Sequence, residues 1–286
     1  MTTWRFDAIG TVWTIDTAAP LSAQQRARVG GVIDRFDRTW SRFRDDATVV
    51  ALAAAGGAVP VPADAAAMLE VYRELSAATG GAVNPLVGES LASLGYDAAY
   101  SLVGGTPLAA PNWEHLLSWD AEQLTLASAA TIDVGALGKG RLVDLVFASL
   151  ADVEGELTVD AGGDMRFRGS ARVALEHPYD ASRAIGIATA TGQAICASAS
   201  NRRAWGDGLH HVLDARTGIP VRTWAATWAI ADDAMTADAA ATALFFEGGP
   251  ELAASWGVEW VRMTTDGRAE RSPNAPVELF SARASR

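Results

Sequence analysis

Lysine is almost missing from this chain: among 23 basic side chains Lys139 is the single lysine, and the others are arginine. Basic charge as a whole is short as well, because 34 acidic residues leave a net charge of -11. A surface of that sign repels a phosphate backbone whose binding rests on cationic contacts, which excludes nucleic acid as a partner. Cysteine is equally scarce. Cys196 stands alone, which excludes an internal disulfide and any clustered thiolate metal site, and it reads as a small buried apolar residue. Long apolar runs are absent too; none reaches the roughly eighteen residues of a membrane span. The opening "MTTWRFDAIGTVW" has no basic segment followed by an apolar one, so a cytoplasmic location is expected.

What is there suits a large core. The chain has 286 residues, of which 49% are hydrophobic and 20% charged, and it is expected to form one domain over residues 1–286. "WRFDAIGTVWTID" alternates bulky with small or polar residues and reads as a strand. From Ser22 to Phe43, Val29, Val32, Ile33, Phe36 and Trp40 recur at three- and four-residue steps, which predicts an amphipathic helix. "DAAAMLEVYRELSAATGG" repeats that pattern, with Asp64 as N-cap and Gly80 or Gly81 closing it. "QLTLASAATIDVG" reads as a hairpin running into a glycine stretch, and "GKGRLVDLVFASLA" as a helix. "GELTVDAGGDMRFRG" is strand, glycine turn and strand; "RVALEHP" and "RAIGIATATGQAICAS" are further strands. "TADAAATALFFEG" predicts the last helix, preceded by aspartates that suit a helix N-terminus. Residues 267–286 read as part strand and part frayed tail. This irregular interleaving predicts an α+β fold with mixed or antiparallel sheets, not a doubly wound sheet.

Four stretches could carry chemistry. In "DVGALGKG", Asp133, Ala136 and Lys139 are three residues apart before a helix, and glycines let backbone groups approach a ligand closely. The stretch is no Walker A loop, because Gly140 follows the lysine where that motif needs Ser or Thr; a purely structural turn remains the alternative. Asp238 and Thr242 are four apart on a predicted helix and share one face, so their hard oxygens suit Mg²⁺ better than zinc. The alternative is an exposed aspartate and a threonine bonded back to its own helix. "GLHHVLDARTGIP" offers His211 as a general base or as a buried structural histidine. In "VDAGGDMRFRG", Asp160 and Asp164 are turn formers, or the loop's amides meet phosphate.

In chain order "AIGTVW", "TWSRFRDD", "GGAVNPLVG", "DVGALGKGRLVD", "VDAGGD", "HHVLDARTG" and "ADAAATALF" together resemble the Mg²⁺-dependent FAD:protein FMN transferases, the ApbE family, over nearly the whole chain. The resemblance implies that Asp238, Thr242 and the backbone carbonyl of Ala136 hold Mg²⁺. It implies that Ile9, Phe43, Ala82, Val83, Asn84, Asp133, Lys139 and Leu213 contact FAD, with His211 as base. Ile9 stands where the family usually has methionine, and Asn84 replaces a common aspartate, keeping hydrogen-bonding capacity without the charge. The implied reaction cleaves FAD at its pyrophosphate, attaches FMN to a Thr or Ser hydroxyl of an acceptor protein and releases AMP. Flavin-bearing subunits of redox complexes and FMN-binding domains of reductases are acceptors in the family. An FAD pyrophosphatase using water and a non-catalytic FAD-binding or storage protein are the rival readings.

Overall fold

The alternating opening segment folds as two strands where one was expected. In a computed structural model that describes residues 1–201, 203–206 and 208–280, β1 (Thr2–Ala8) and β2 (Thr11–Thr17) pair antiparallel. The turn between them is Ile9–Gly10, both at positive φ, 44° and 72°. A glycine accepts that conformation without penalty, whereas a β-branched residue does so under strain.

Helix α1 (Ala23–Trp40) buries Val29, Ile33, Phe36 and Trp40. Ser22 caps it reciprocally: its hydroxyl accepts from the Gln25 amide, and the Gln25 side chain accepts from the Ser22 amide, satisfying two otherwise unpaired donors. Then come α2 (Thr48–Ala53), β3 (Gly57–Pro60) and α3 (Ala65–Ala78). Asp64 occupies the N-cap position of α3, but its carboxylate makes no cap hydrogen bond and instead accepts from the Arg141 guanidinium at 2.8 and 2.6 Å. Next are α4 (Gly88–Ser93), α5 (Trp113–Leu116), β4 (Leu117–Trp119) and β5 (Gln123–Leu126). The hairpin expected in "QLTLASAATIDVG" is corrected here. Only β5 of that stretch is a strand, paired with β4 and β3, because the following residues lie along the 85–88 segment, with Asp133 N donating to Pro85 O and Gly88 N to Thr131 O.

From α6 (Gly138–Ser149) the chain passes through β6 (Leu157–Ala161), β7 (Asp164–Arg168), β8 (Ser170–His177), β9 (Asp180–Thr191) and β10 (Ala194–Ala199). Four two-residue strands follow, β11 (Ala204–Trp205), β12 (Leu209–His210), β13 (Leu213–Asp214) and β14 (Ile219–Pro220). β15 (Trp224–Ala231) leads into α7 (Ala234–Ala243). α7 is not the last helix: α8 (Gly249–Ser255) follows, entered through Gly248 in the left-handed conformation with Pro250 in its first turn. β16 (Glu259–Thr264), β17 (Ala269–Arg271) and β18 (Val277–Leu279) complete the described chain. Part of the expected tail is therefore strand, and residues 281–286 lie outside the described residues.

Eight strands form one antiparallel sheet in the order β1-β2-β6-β7-β10-β15-β16-β17, and β18-β9-β8 form a second. The alternation of side chains along the inner strands divides them between two cores. Ala194, Cys196, Ala229 and Ala231 pack with residues of α1, α6 and α7, while Ile195, Trp228 and Ile230 pack with Leu175, Ala188 and Val277 of the second sheet. The layers are thus helices, large sheet and small sheet, an α+β arrangement as expected. Cys196 is wholly buried, and burial holds its thiol well above the ordinary range.

Candidate functional site

The glycines flanking the only lysine are dictated by close contacts, at Gly140 with a neighbouring helix and at Gly138 with the preceding turn. A Cβ at Gly140 would lie 2.1 Å from the Ala234 carbonyl oxygen and 2.7 Å from Asp238 Cβ, so α6 and α7 meet there backbone to backbone. That approach lets the Gly140 amide donate to Asp238 Oδ2 at 2.8 Å. At Gly138 a Cβ would meet Val134 Cγ2 at 2.7 Å. Asp144, from α6, accepts from the amides of Ala234 and Met235 at 2.9 Å each and so fixes the first turn of α7, which Asp233 caps through the Thr236 amide.

Buried charge collects at this junction. Asp238 is 3% exposed and Asp164 is wholly buried. The Lys139 ammonium lies 2.9 Å from Asp164 Oδ2, and Asp164 Oδ1 has no hydrogen-bond donor among the described residues. Burial pushes the Asp238 carboxyl well above the usual carboxylate range, the negative charge of Asp164 adds to the rise, and Lys139 opposes it. For Lys139, burial alone would lower the pKa, but Asp164 and Asp238 outweigh it and the ammonium is held above its ordinary value. Asp164, Asp238, Lys139 and Arg203 thus act on one another's charge at this junction.

The proposed metal donors lie at the same junction. The Thr242 hydroxyl donates to the Ala136 carbonyl at 3.0 Å, close to the roughly 3.0 Å edge of an octahedron built with Mg–O distances of about 2.1 Å. Thr242 is therefore not bonded back to its own helix, nor is Asp238 exposed. The Ala136 carbonyl, the Thr242 hydroxyl and the Asp238 carboxyl are hard oxygens, the donor type that Mg²⁺ takes, although among the described residues no three His, Cys, Asp or Glu side chains converge.

Beside this floor opens a cavity of about 380 Å³. Its wall is braced by Arg42, which is buried: Nε donates to Asp133 Oδ2 at 2.5 Å and Nη2 to the Tyr96 carbonyl at 2.8 Å. Asp133 Oδ1 accepts from Gly135 N at 2.7 Å, and the Tyr72 hydroxyl donates to the Asp133 carbonyl at 3.0 Å. These bonds hold the 133–136 turn against α3. Ile9, Phe43, Ala82, Val83, Asn84, Asp133, Ala136, Lys139, His211, Leu213 and Thr242 all line the cavity; of the residues expected at the site only Asp238 does not, being sealed at the helix contact. Asn84 lines it with its polar groups already engaged, Nδ2 with the Pro111 carbonyl and Oδ1 with the Leu86 amide.

His211 is half-buried, and its Nδ1 has no partner among the described residues. Burial first, then the charges of Arg203, His210 and Lys139, depress its pKa to about 3, so the imidazole is neutral at neutral pH. Sequence reasoning missed several neighbours. Asp164 was a turn former on paper, although it opens β7 and its ion partner lies in α6; Asp160 does make the turn, accepting from Gly163 N at 2.9 Å. Arg42, Tyr72, Tyr96, Tyr100 and Arg203 also line the cavity. Of these only Arg42 carried a signal, standing inside the "TWSRFRDD" stretch.

A family model described as the ApbE family matches residues 9–261. A protein of Rhodobacter capsulatus named FAD:protein FMN transferase is 27% identical over 301 residues, covering 96% of this chain; the chain spans 57% of that relative's length. The fold is similar to that of the ApbE protein of Thermotoga maritima, with a TM-score of 0.80 at 22% identity, covering 95% of this chain and 97% of the other. It is also similar to the flavin transferase ApbE of Vibrio cholerae, with a TM-score of 0.78 at 20% identity and coverage of 95% and 97%.

Proposed function

The chain belongs to the ApbE family, and from that premise we propose that it is an FAD:protein FMN transferase, working as a single domain, that attaches FMN to a Thr or Ser hydroxyl of an acceptor protein and releases AMP. The observation that carries this reading is the convergence of segments from Ile9 to Thr242 on one cavity lined by the Ala136 carbonyl segment, Thr242 and the only lysine, next to the sealed carboxyl of Asp238.

FAD occupies the cavity, contacting Ile9, Phe43, the Ala82–Asn84 segment, Asp133 and Leu213, with Lys139 toward the diphosphate. Asp238, Thr242 and the Ala136 carbonyl would hold Mg²⁺, which supplies positive charge for the pyrophosphate oxygens. The approach of the Thr242 hydroxyl to the Ala136 carbonyl at 3.0 Å supports that donor set. The acceptor hydroxyl oxygen bonds to the FMN phosphorus, the bond from that phosphorus to the bridging oxygen breaks, and AMP leaves with the bridging oxygen. His211, neutral before the reaction, takes the hydroxyl proton. An imidazole at a pKa of about 3 is a weak base, and the negative charge of a bound diphosphate raises it toward a useful range.

Incubation of the chain with FAD, Mg²⁺ and a protein carrying a Thr acceptor segment tests this reading. Flavin fluorescence on the denatured acceptor, together with AMP, is expected. AMP with free FMN would make the chain a pyrophosphatase, and tight FAD with neither product would make it a flavin-binding protein.

A further inference from the structure

Three non-glycine residues among those described have positive φ: Ile9 at 44°, Tyr100 at 49° and Leu102 at 53°. Strain of this kind persists only where the surroundings enforce it, and it concentrates at functional sites. Two of the three, Ile9 and Tyr100, line the cavity. The Tyr100 hydroxyl also reaches the Ile9–Gly10 turn: a Cβ on Gly10 would lie 3.9 Å from it.

The loop around Tyr100 is built to hold that conformation. Asp97 Oδ1 accepts from the amides of Ala99 and Ser101 at 2.9 and 3.0 Å, its Oδ2 accepts from the Ser101 hydroxyl at 2.5 Å, and its carbonyl accepts from the Tyr100 amide at 3.0 Å. At the base, Leu102 N donates to Gly95 O at 2.8 Å. Gly95, at φ 95°, lies so close to Val103 that a Cβ would sit 2.5 Å from its amide nitrogen.

Held in this way, the Tyr100 ring stacks on Phe43, with centroids 5.0 Å apart and planes at 13°, yet the residue is 49% exposed. Phe43 in turn meets Tyr96 edge-on, and Tyr96 stacks on Trp205. A packed core does not need an aromatic residue forced into the left-handed region and left half uncovered at a cavity mouth.

We propose that Tyr100 is a positioning residue for a planar ring of the dinucleotide, extending the Phe43–Tyr100 stack by one heteroaromatic ring at the mouth of the cavity. This rests on the reading that FAD binds there. The shared chemistry is a flat π-face, which isoalloxazine and adenine both offer.

Affinities of FAD, FMN and AMP are measured by flavin fluorescence and by calorimetry for the wild type, Tyr100→Phe and Tyr100→Ala. Tyr100→Phe should stay within about twofold for FAD, and Tyr100→Ala should bind it roughly tenfold more weakly, as for loss of one base–aromatic stack. A loss shared by FMN and not by AMP identifies isoalloxazine as the ring, and the converse identifies adenine; either upholds the slot. Unchanged affinity for all three ligands in Tyr100→Ala overturns it, as does an equal loss in Tyr100→Phe. Should Tyr100→Ala not fold, Tyr100→Leu, which keeps bulk without a π-face, is read by the same criteria. A wild-type chain that binds no FAD defeats the proposed function itself, an outcome distinct from binding that ignores Tyr100.

Discussion

The floor of the cavity and its rim are built on opposite plans. At the floor, α6 and α7 touch through Gly140 and Ala234, α7 buries Ala237, Ala239, Ala240, Ala241 and Ala243 completely, and both sealed carboxylates have partners within 3 Å. At the rim, Ile9 and Tyr100 hold positive φ, and Tyr100, Leu102 and Val103 are exposed. The floor holds charge in place by close packing, which is costly to disturb. The rim stores strain in turns and leaves apolar rings uncovered, which suits recognition of a flat ligand. A diphosphate with an aromatic ring at each end asks for both.

The comparison breaks most severely at Gly140. Gly140→Ala places a methyl 2.1 Å from a backbone oxygen, and no side-chain rotation relieves that, so α6 and α7 must separate. Overpacking of this kind costs about 3 kcal/mol or more when the obstacle is backbone, and the Asp238 carboxylate loses its amide donor as well. Urea denaturation should show that loss, and Mg²⁺ binding should weaken with it. A variant as stable as the wild type would mean that the floor is looser than its geometry.

Legibility in the sequence follows the same division. Periodicity exposed α1, α3, α6 and α7, because amphipathic or alanine-rich faces are local properties. The β6–β7 turn was legible from its glycines. The opening hairpin was not, since Ile9 continues the alternation of the strands and only Gly10 marks the reversal. Nor was α8, seven residues long and opening on a glycine pair. Asp164 was misread because its partner Lys139 stands a helix and a strand away, and such pairings leave no trace in spacing. Asp238 and Thr242 were legible as a pair, but the burial of Asp238 was not. Tyr100 was passed over because the strain that singles it out belongs to the backbone, which composition does not record.

Asp238→Asn sharpens the comparison next, because it separates charge from packing at the floor. Asn is nearly isosteric and can still accept from Gly140. Asp238 has a raised pKa in the folded protein, so the folded state keeps a proton that the unfolded chain releases, and stability declines as pH rises from the ordinary carboxylate value through the folded one. Without divalent cation, Asp238→Asn should therefore gain stability over the wild type between about pH 5 and about pH 8. With Mg²⁺ the order reverses, because only the wild type is stabilised by the ion. Turnover should fall by more than the roughly 10–100-fold typical of losing an outer-shell partner of a metal. Melting curves at both pH values, with and without Mg²⁺, check the sign; a pH-independent difference would remove the buried, protonated carboxyl from the account.

The smallest effect is expected at the rim, from Ile9→Met. Both side chains have similar bulk, and Ile9 packs against the main core, so the exchange leaves apolar contact nearly intact. It does remove the branch at Cβ, which makes a φ of 44° hardest to hold. Relief of part of that strain should stabilise the fold by about 0.5 kcal/mol, since a strained backbone residue of this kind costs on the order of 1–3 kcal/mol in total. The denaturation midpoint should rise slightly while the slope stays unchanged. A loss of about 1 kcal/mol or more would show that Ile9 is fixed by packing, like the residues of the floor, and not by a turn under strain. FAD affinity measured on the same samples separates the two further: relaxing the turn frees the Ile9–Gly10 corner beside Tyr100, so a stabilised variant that binds FAD more weakly places the strain in ligand recognition.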